Sequence, residues 1–243
     1  MKFMILAAGR SSRYGGNKLL EVFNGKTLPQ YAAEFAAHLN AEEIFLTVSR
    51  DGVQTDGTRV FHPVVDNVSR ITNSKGIPLR VTFQDPESYG PGGAIMAWDG
   101  VVEGPFVVLF GDNLYLPTLD VKERISGLES WLQSPEGVAF TYKEIPEPHP
   151  RNLQLAAVLD REILLEKPHS IVSGEYFCGF VAFPSNFFTN VGKIRKSDRG
   201  EIELTDMVNS YGARLGIPLS EYCRNWADLT YEGDYGKILS LVE

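Results

Sequence analysis

A loop of small and basic residues follows an apolar segment near the amino terminus. The segment Met4–Ala7 has the character of a buried strand, and the mostly small residues Ala8–Ser12 follow it. Small side chains let backbone N–H groups approach phosphate oxygens, while Arg13 can fork onto a phosphate and Lys18 adds a compact charge. The spacing is neither that of a Walker loop nor that of a dinucleotide-binding glycine motif. The loop therefore indicates a polyphosphate site; the alternative is an ordinary strand followed by a polar turn with solvated arginines.

An aspartate stands where a second apolar segment ends. Val107–Phe110 is fully apolar, and Gly111 and Asp112 follow it directly. In an open parallel sheet, ligands bind beyond the carboxyl ends of the strands. A carboxylate at that edge, facing a phosphate loop, is placed to hold Mg²⁺. The alternative for Asp112 is a simple turn that ends the strand.

A glutamine and a glycine-rich turn lie between these two segments. Gln84 ends a further β-rich run, and Tyr89–Ile95 brings glycines into the start of a helix. Glycines let a flat base lie against the backbone, and an amide side chain can pair both its donor and its acceptor with a base edge. The alternative is a helix-starting turn with an exposed glutamine.

Three further charged segments lie in the second half of the chain. Glu166-Lys167-Pro168, with Gly174 after it, sits between two β-rich runs and could equally be a surface ion pair before a turn. Arg199–Asp206 places acidic residues where a helix begins, which favours a mainly architectural role. Asn225–Thr230 contains Asp228, a second candidate carboxylate for a metal.

Alternating strand and helix patterns must position these groups. The first 110 or so residues alternate between the two, which predicts a mainly parallel, mixed sheet of the Rossmann-like α/β class with helices on both faces. Apolar spacing predicts helices over Leu28–Asn40, Gly92–Trp98, Glu203–Leu215 and Tyr231–Val242. Short runs separated by turns predict strands at Val138–Tyr142, Leu153–Leu159, Ile163–Leu165 and Tyr176–Phe183.

The order of these motifs resembles that of the sugar-phosphate nucleotidyltransferases, also called nucleotide-sugar pyrophosphorylases, and among them the glucose-1-phosphate thymidylyltransferases. Leu6–Arg13 is similar to their signature loop, with Ser11 where the family usually has glycine. The Gly111–Asn113, Glu166–Pro168, Arg199–Asp206 and Trp226–Asp228 segments are similar to later family elements in the same order. The resemblance implies a GT-A-like nucleotidyltransferase fold.

The resemblance also implies roles for individual residues. It implies nucleotide contacts at Leu6, Ala8, Gly9, Gln84 and Gly90, catalytic charges at Arg13, Lys18 and Lys167, sugar-phosphate contacts at Glu166, Lys167 and Gly174, and Mg²⁺ ligands at Asp112 and Asp228. In the family members that use glucose 1-phosphate, a glycine stands in the segment before the element that resembles Glu166–Pro168. The corresponding segment here, Arg151–Val158, lacks that glycine, which argues against glucose 1-phosphate as the substrate.

The implied reaction joins an NTP (dTTP, UTP or CTP) to a sugar 1-phosphate and releases pyrophosphate. One alternative is a cytidylyltransferase acting on a non-sugar phosphate such as phosphocholine. Another is a non-catalytic, nucleotide-binding regulatory subunit. The whole chain, 1–243, is expected to be a single domain, with a nucleotide-binding half of about 1–115 and a sugar-phosphate-binding half of about 116–243.

Composition limits the partners of the chain. Its 243 residues carry a net charge of −8, which speaks against broad nucleic-acid binding. Two cysteines indicate no disulfide framework, and no apolar run approaches the about 20 residues that cross a bilayer. We expect a cytoplasmic protein without a signal peptide, nucleic-acid partner or membrane contact, and the sequence leaves a homo-oligomer open.

Overall fold

The computed structural model describes residues 1–11, 13–57, 60–119, 122–134, 137–144, 157–160, 163–168, 174–191 and 195–243. The strands in these ranges are, in chain order, β1 (Lys2–Ala7), β2 (Val22–Phe23), β3 (Lys26–Thr27), β4 (Glu43–Val48), β5 (Gln54–Thr55), β6 (Val60–Phe61), β7 (Leu79–Phe83), β8 (Phe106–Phe110), β9 (Asn113–Pro117), β10 (Gly137–Glu144), β11 (Ala157–Asp160), β12 (Ile163–Glu166), β13 (Glu175–Phe183), β14 (Ala213–Pro218) and β15 (Cys223–Asp228).

Helices alternate with the strands in the first half of the chain and become shorter in the second. The described α-helices are α1 (Leu28–His38), α2 (Pro63–Lys75), α3 (Pro91–Met96), α4 (Lys122–Trp131), α5 (Phe187–Asn190), α6 (Leu204–Asn209) and α7 (Asp234–Val242). Proline stands in the first turn of α1, α2 and α3, where its missing N–H costs no helical hydrogen bond. In the described part of the chain, no helix is long and apolar enough to span a bilayer.

The main sheet is mixed and mainly parallel, as the sequence predicted. Strands β7, β4, β1 and β8 are parallel neighbours, and β13 pairs antiparallel with β8. On its other edge β13 pairs with β10, which is parallel to β14, while β11 and β12 extend the sheet beside the first residues of β13. Strands from both halves of the chain therefore share one sheet.

Both faces of the central strands of this sheet are buried. On β1, Phe3 and Ile5 pack into one apolar cluster with α1, α2 and α4, while Met4 and Leu6 pack into another with α3, α5 and α6. Because successive side chains of a strand point to opposite faces, a strand covered on both sides must be apolar throughout. This explains the uninterrupted apolar runs of β1 and β8.

A two-stranded antiparallel ribbon, β9 with β15, stands beside the main sheet. Its register places Asp228 opposite Asn113, one residue after Asp112. The ribbon and α7 enclose a third apolar cluster that contains Leu114, Leu229 and Ile238. The ribbon thereby brings the two candidate metal ligands to the same edge of the molecule.

The helix predicted over Glu203–Leu215 is wrong beyond Asn209. The structure has α6 up to that residue and then β14. The Asn209 side chain bonds the backbone N–H and C=O of Leu164 at 3.0 and 2.7 Å, which fixes the helix end against β12. Apolar spacing alone does not reveal that the following residues pair with β10.

The last helix and the strand predicted at 153–159 also differ from the sequence predictions. The last helix begins at Asp234 rather than Tyr231, because the Asp234 carboxylate accepts the N–H groups of Thr230 and Tyr231 at 2.9 and 2.8 Å and so fixes the turn before it. A strand is predicted at 153–159, and the structure describes β11 from Ala157 onwards. Residues 153–156 lie outside the described residues, and so does most of the segment 151–158.

Candidate functional site

A cavity of about 250 Å³ opens at the carboxyl ends of β1, β7 and β8. Eight of the residues predicted for the site line it: Leu6, Ala8, Gly9, Arg13, Lys18, Gln84, Gly90 and Asp112. Tyr89, Phe110, Glu201 and Thr230 line it as well, and the sequence analysis gave these four no role of their own. Asp228, Glu166, Lys167 and Gly174 are not among its lining residues.

The phosphate loop is held at its ends and open in its middle. Ser11 has a φ of 52°, in the left-handed region that favours glycine, and its carbonyl accepts the N–H of Tyr14 at 3.0 Å. Tyr14 is buried in the third apolar cluster, which anchors the far end of the loop. A Cβ added at Gly9 or Gly16 would meet no atom within 4 Å. The open middle gives phosphate oxygens access to the backbone.

Lys18 lies at the centre of the charged part of the site. Asn17 caps the short 3₁₀ turn Lys18–Leu20 by accepting the N–H of Leu19 at 3.3 Å, and this turn directs Lys18 towards the strand ends. Lys18 Nζ bonds Asp112 Oδ2 and donates to the carbonyl of Leu229 at 2.8 Å. The side chain thus joins the phosphate loop to the end of the ribbon at which β9 begins and β15 ends.

The two aspartates are close enough to influence each other. Burial raises the pKa of the Asp228 carboxyl above its ordinary range, and the Asp112 carboxylate raises it further, while a bond from Thr230 opposes the rise. That bond runs from Thr230 Oγ1 to Asp228 Oδ2 at 2.8 Å, and the N–H of Leu229 donates to the Asp112 carbonyl at 3.0 Å. Desolvation and like charge both disfavour the ionised form of Asp228, and a bound cation would relieve both.

The donor set of this pair fits Mg²⁺. No cluster of three or more His, Cys, Asp or Glu side chains suited to a metal occurs among the residues that the structure describes. Mg²⁺ is commonly held by only one or two carboxylates together with substrate phosphates and water. Asp112 and Asp228, beside a loop open to phosphates, meet that requirement with hard oxygen donors.

The amide of Gln84 has only one of its two groups available for a base, whereas both were expected from the sequence. It is buried, with only 7% of its surface exposed, so the alternative of an exposed glutamine is wrong. Its amide nitrogen donates to the carbonyls of Ser88 and Gly90 at 3.0 and 2.7 Å. With the nitrogen committed to the backbone, the carbonyl oxygen is the group that this side chain can offer to a base. Gln84 can therefore accept a hydrogen bond from a base but not pair with it through both groups.

The turn held by Gln84 leaves no room for side chains. Gly90 has a φ of 110°, and a Cβ added there would lie 2.6 Å from the carbonyl oxygen of Ile202. A Cβ added at Gly93 would lie 1.6 Å from the carbonyl oxygen of Ser88. These glycines allow α3 to start directly against the cavity wall.

A charged network surrounds the predicted sugar-phosphate residues. Arg199 Nη2 lies 3.0 Å from Glu166 Oε1 and 2.7 Å from Glu203 Oε1, and Lys167 Nζ lies 3.1 Å from Glu166 Oε1. Thr205 Oγ1 donates to Glu166 Oε2 at 3.2 Å. Arg199–Asp206 is therefore connected to Glu166, a link missed because the segment was interpreted as mainly architectural. Burial, followed by the carboxylates of Glu203 and Glu166, raises the pKa of Asp206.

This network adjoins the cavity through Glu201. The Glu201 carboxylate lines the cavity and lies 3.6 Å from the Arg199 guanidinium. Lys167 has a φ of 45°, an uncommon backbone conformation for a residue with a side chain. Gly174 lies immediately before β13, and residues 169–173 between it and Pro168 are outside the described ranges. The described geometry brings Glu166 and Lys167 together but does not bring Gly174 to them.

Comparison with known proteins gives a consistent result. A protein-family model described as a MobA-like NTP transferase domain matches residues 3–160. A curated protein of Haloferax volcanii, the low-salt glycan biosynthesis nucleotidyltransferase Agl11, is 25% identical over 219 residues, which are 86% of this chain and 57% of that protein. The chain thus spans little more than half the length of this relative.

Solved structures share the fold. A Bacillus anthracis protein described as a glucose-1-phosphate thymidylyltransferase, solved in complex with sucrose, superposes with a TM-score of 0.77 at 20% identity, covering 100% of this chain and 95% of that one. A UDP-glucose pyrophosphorylase solved with UDP-glucose has a TM-score of 0.75 at 17% identity, covering 99% and 97%. The sheet and helices described above are therefore those of a nucleotidyltransferase fold.

Proposed function

The chain belongs to the MobA-like NTP transferase family, and on that premise we propose that it transfers a nucleotidyl group from an NTP to a sugar 1-phosphate, releasing pyrophosphate. One observation carries the proposal: the phosphate loop, Lys18 and Asp112 line one cavity, with Asp228 beside it. The names of the relatives, a glycan biosynthesis nucleotidyltransferase among them, support a sugar phosphate as the acceptor.

The nucleotide side of the proposal rests on the turn at Gln84. The Gln84 carbonyl oxygen can accept a hydrogen bond, which thymine and uracil offer at N3–H and cytosine at its amino group. Purine bases offer N–H donors as well, so the proposal of dTTP, UTP or CTP as the donor rests on the names of the structural relatives, a thymidylyltransferase and a UDP-glucose pyrophosphorylase. Leu6, Ala8 and Gly9, at the end of β1, form the wall between the base and the phosphates.

The chain's own residues account for the transfer by position and charge. The acceptor phosphate oxygen attacks the α-phosphorus of the NTP in line, and pyrophosphate leaves, so the α-phosphorus exchanges one P–O bond for another. Arg13 and Lys18 neutralise the triphosphate and the departing pyrophosphate. Lys167 holds the phosphate of the acceptor, and Glu166 holds the hydroxyl groups of its sugar. Asp112 and Asp228 would hold Mg²⁺, which supplies positive charge to the phosphates when bound.

The reaction can be tested with a matrix of substrates. Each common NTP is incubated with several sugar 1-phosphates and with phosphocholine in Mg²⁺, and pyrophosphate release and the nucleotide product are measured. We expect turnover with a pyrimidine nucleotide and a sugar 1-phosphate. Turnover with phosphocholine alone would replace the proposed acceptor, and nucleotide binding without turnover in the whole matrix would indicate a regulatory subunit.

Substitution of the strand-end carboxylate separates this reaction from contaminating activity. Asp112→Asn should abolish turnover, because it removes one of the charges that would hold the metal, while metal-free nucleotide binding survives. Asp99→Asn, at an exposed aspartate outside the cavity lining, is the matched control and should turn over like the wild type. A wild-type rate for Asp112→Asn at saturating Mg²⁺ would contradict the metal assignment.

Lys167 tests the acceptor side separately. Lys167→Ala should raise the KM for the acceptor phosphate about tenfold or more and leave the KM for the NTP near wild type, because of the two substrates the lost charge would contact only the acceptor. Lys75→Ala, at an exposed lysine that ends α2, is the control. A rise confined to the NTP KM would move Lys167 to the nucleotide side of the site.

A further inference from the structure

The side chain of Arg10 lies over the ring of Tyr89, with Cζ 4.3 Å from the ring centroid. Arg10 belongs to the phosphate loop, between Gly9 and Ser11. Tyr89 belongs to the turn held by Gln84, and it lines the same cavity from the base side. The contact is therefore a side-chain connection between the wall that would face the phosphates and the wall that would face the base.

The two partners differ in how firmly they are held. The carbonyl of Tyr89 accepts the N–H of Ile202 at 2.8 Å, and the next residue, Gly90, packs tightly against Ile202. Arg10 is exposed, and the loop around it has a cavity on either side, the second one of about 400 Å³ and also lined by Gly9 and Ser11. Tyr89 is thus fixed to the body of the protein, whereas packing alone does not fix the middle of the loop.

An exposed contact of this kind adds little to the stability of the fold. A cation over an aromatic ring at an exposed site contributes about 0.5–1 kcal/mol, too little to decide whether a chain of this size folds. It is enough to bias the position of a loop whose described ends, Ala8 and Tyr14, are buried. A contact this weak therefore matters through the position of the loop rather than through global stability.

We propose that the Arg10–Tyr89 contact sets the distance between the phosphate loop and the base wall, so that both residues are positioning residues for the nucleoside triphosphate. The inference rests on the proposed function, because it assumes that an NTP occupies the cavity. The base and the phosphates of one NTP then meet two walls that are already at the correct distance from each other. Loss of either partner should weaken NTP binding and leave the chemical step nearly unchanged.

The test is a double-variant cycle on binding. The dissociation constants of dTTP, UTP and CTP are measured by calorimetry without acceptor for the wild type, Arg10→Ala, Tyr89→Leu and the double variant. Each single variant should weaken binding of the preferred NTP about two- to fivefold, the factor that a contact of this strength implies. The double variant should be no weaker than either single one, because the same contact is lost in all three.

Conservative and control variants exclude a merely structural effect. Tyr89→Phe keeps the ring that Arg10 covers and should restore the NTP binding that Tyr89→Leu loses. Arg80→Ala removes another exposed arginine that lies over a ring, that of Phe45 at 5.8 Å, but at the start of β7, away from the cavity. It should change neither binding nor turnover. Binding of inorganic pyrophosphate alone should change less than NTP binding in Arg10→Ala, because pyrophosphate does not reach the base wall.

The outcomes separate this inference from the function on which it rests. The inference would be overturned, and the function left standing, if the single variants bound NTP with the dissociation constants of the wild type. Additive losses of binding in the double variant would have the same meaning. An equal loss of pyrophosphate binding in Arg10→Ala would place Arg10 on the phosphates and also overturn it. If the wild type bound no NTP at all, the proposed function would fail and the inference with it.

Discussion

Lys18 contacts parts of the site that are far apart in the sequence. Its ammonium group bonds the Asp112 carboxylate and the carbonyl of Leu229, which is 211 residues further along the chain. It supplies a positive charge beside the Asp112 carboxylate, whose negative charge is one cause of the raised pKa of Asp228. At the scale of single residues, the site sets carboxylates, which we propose as ligands for a cation, beside basic groups that we propose as contacts for phosphates.

Arg13 should be the arginine of the loop that affects the chemical step. It lines the cavity directly, whereas Arg10 is engaged with Tyr89. Arg13→Ala should lower kcat by about 10²-fold or more, the loss expected when one donor that stabilises developing charge is removed. Steady-state kinetics of Arg13→Ala and Arg10→Ala provide the comparison. Equal losses of kcat in the two variants would show that the assignment within the loop is wrong.

His62 should make stability depend on pH. Burial lowers the pKa of its imidazole below the ordinary value of 6.5, and its Nε2 lies 3.1 Å from the carbonyl of Ser49. The unfolded chain takes up this proton near pH 6.5 and the folded chain only at lower pH. The contribution to stability is therefore complete above pH 6.5 and is lost as the pH falls through the lowered pKa.

Urea unfolding at several pH values checks the His62 prediction. His62→Gln keeps a side-chain N–H for Ser49 but cannot titrate, so its free energy of unfolding should fall less than that of the wild type between pH 6.5 and 5. His38→Gln, at an exposed histidine that also faces a backbone carbonyl, is the control and should follow the wild type. Identical slopes for the wild type and His62→Gln would refute the assignment.

Residue types and spacing predicted that the strand-end carboxylate faces the basic loop, and the structure places the two together. Asp112, Arg13 and Lys18 line one cavity because the ends of adjacent parallel strands meet at one edge of the sheet. The orientation of Gln84 could not be predicted, since its bonds go to backbone carbonyls whose positions depend on the whole turn. The partners of Arg199 come from two separate segments and leave no local signal.

At the scale of elements, the start of α3 is the most constrained part of the site. Gly93→Ala would bring a methyl group against the Ser88 carbonyl that Gln84 holds. We expect it to lower the free energy of unfolding by about 1–3 kcal/mol, the usual cost of overpacking, and to weaken nucleotide binding.

A second glycine provides the matched comparison. Gly127 lies in α4 with open space around it, so Gly127→Ala should raise stability by about 0.5–1 kcal/mol through lower backbone entropy in the unfolded chain. Chemical denaturation of both variants measures the difference. A stable, nucleotide-binding Gly93→Ala would show that the turn can move without cost.

The elements themselves were predictable to the extent that their pattern was local. Uninterrupted apolar runs predicted β1 and β8, and apolar residues at helical spacing predicted α1. The helix predicted over Glu203–Leu215 was too long, because its apolar spacing continues into β14, a strand that forms through pairing with β10. The β9–β15 ribbon joins segments more than a hundred residues apart, so neither strand shows a sheet partner in its own neighbourhood.

At the scale of the whole molecule, the two halves of the chain should unfold together. Strand β13 pairs with β8 on one side and β10 on the other, and Val107 shares an apolar cluster with Phe180. Separating the halves would expose this cluster to water. The expected single domain over 1–243 therefore predicts one cooperative transition.

Tryptophan fluorescence can follow each half of the chain. A Trp131→Phe/Trp226→Phe variant reports from Trp98 in the first half, and a Trp98→Phe/Trp131→Phe variant reports from Trp226 in the second. In each variant, the urea midpoints from fluorescence and from far-UV circular dichroism should coincide. Fluorescence transitions that separate from the loss of secondary structure would instead indicate two units.

The bond between Lys18 and Leu229 also has a consequence in time. The ribosome adds roughly 5–20 residues per second, so the 211 residues between these two partners take about 10–40 s to synthesise. During that interval the phosphate loop and β8 can already have emerged, but Asp228 and Thr230 do not yet exist. A nascent chain would pass through this period with half a nucleotide site, and its catalytic competence would begin only with the emergence of β15.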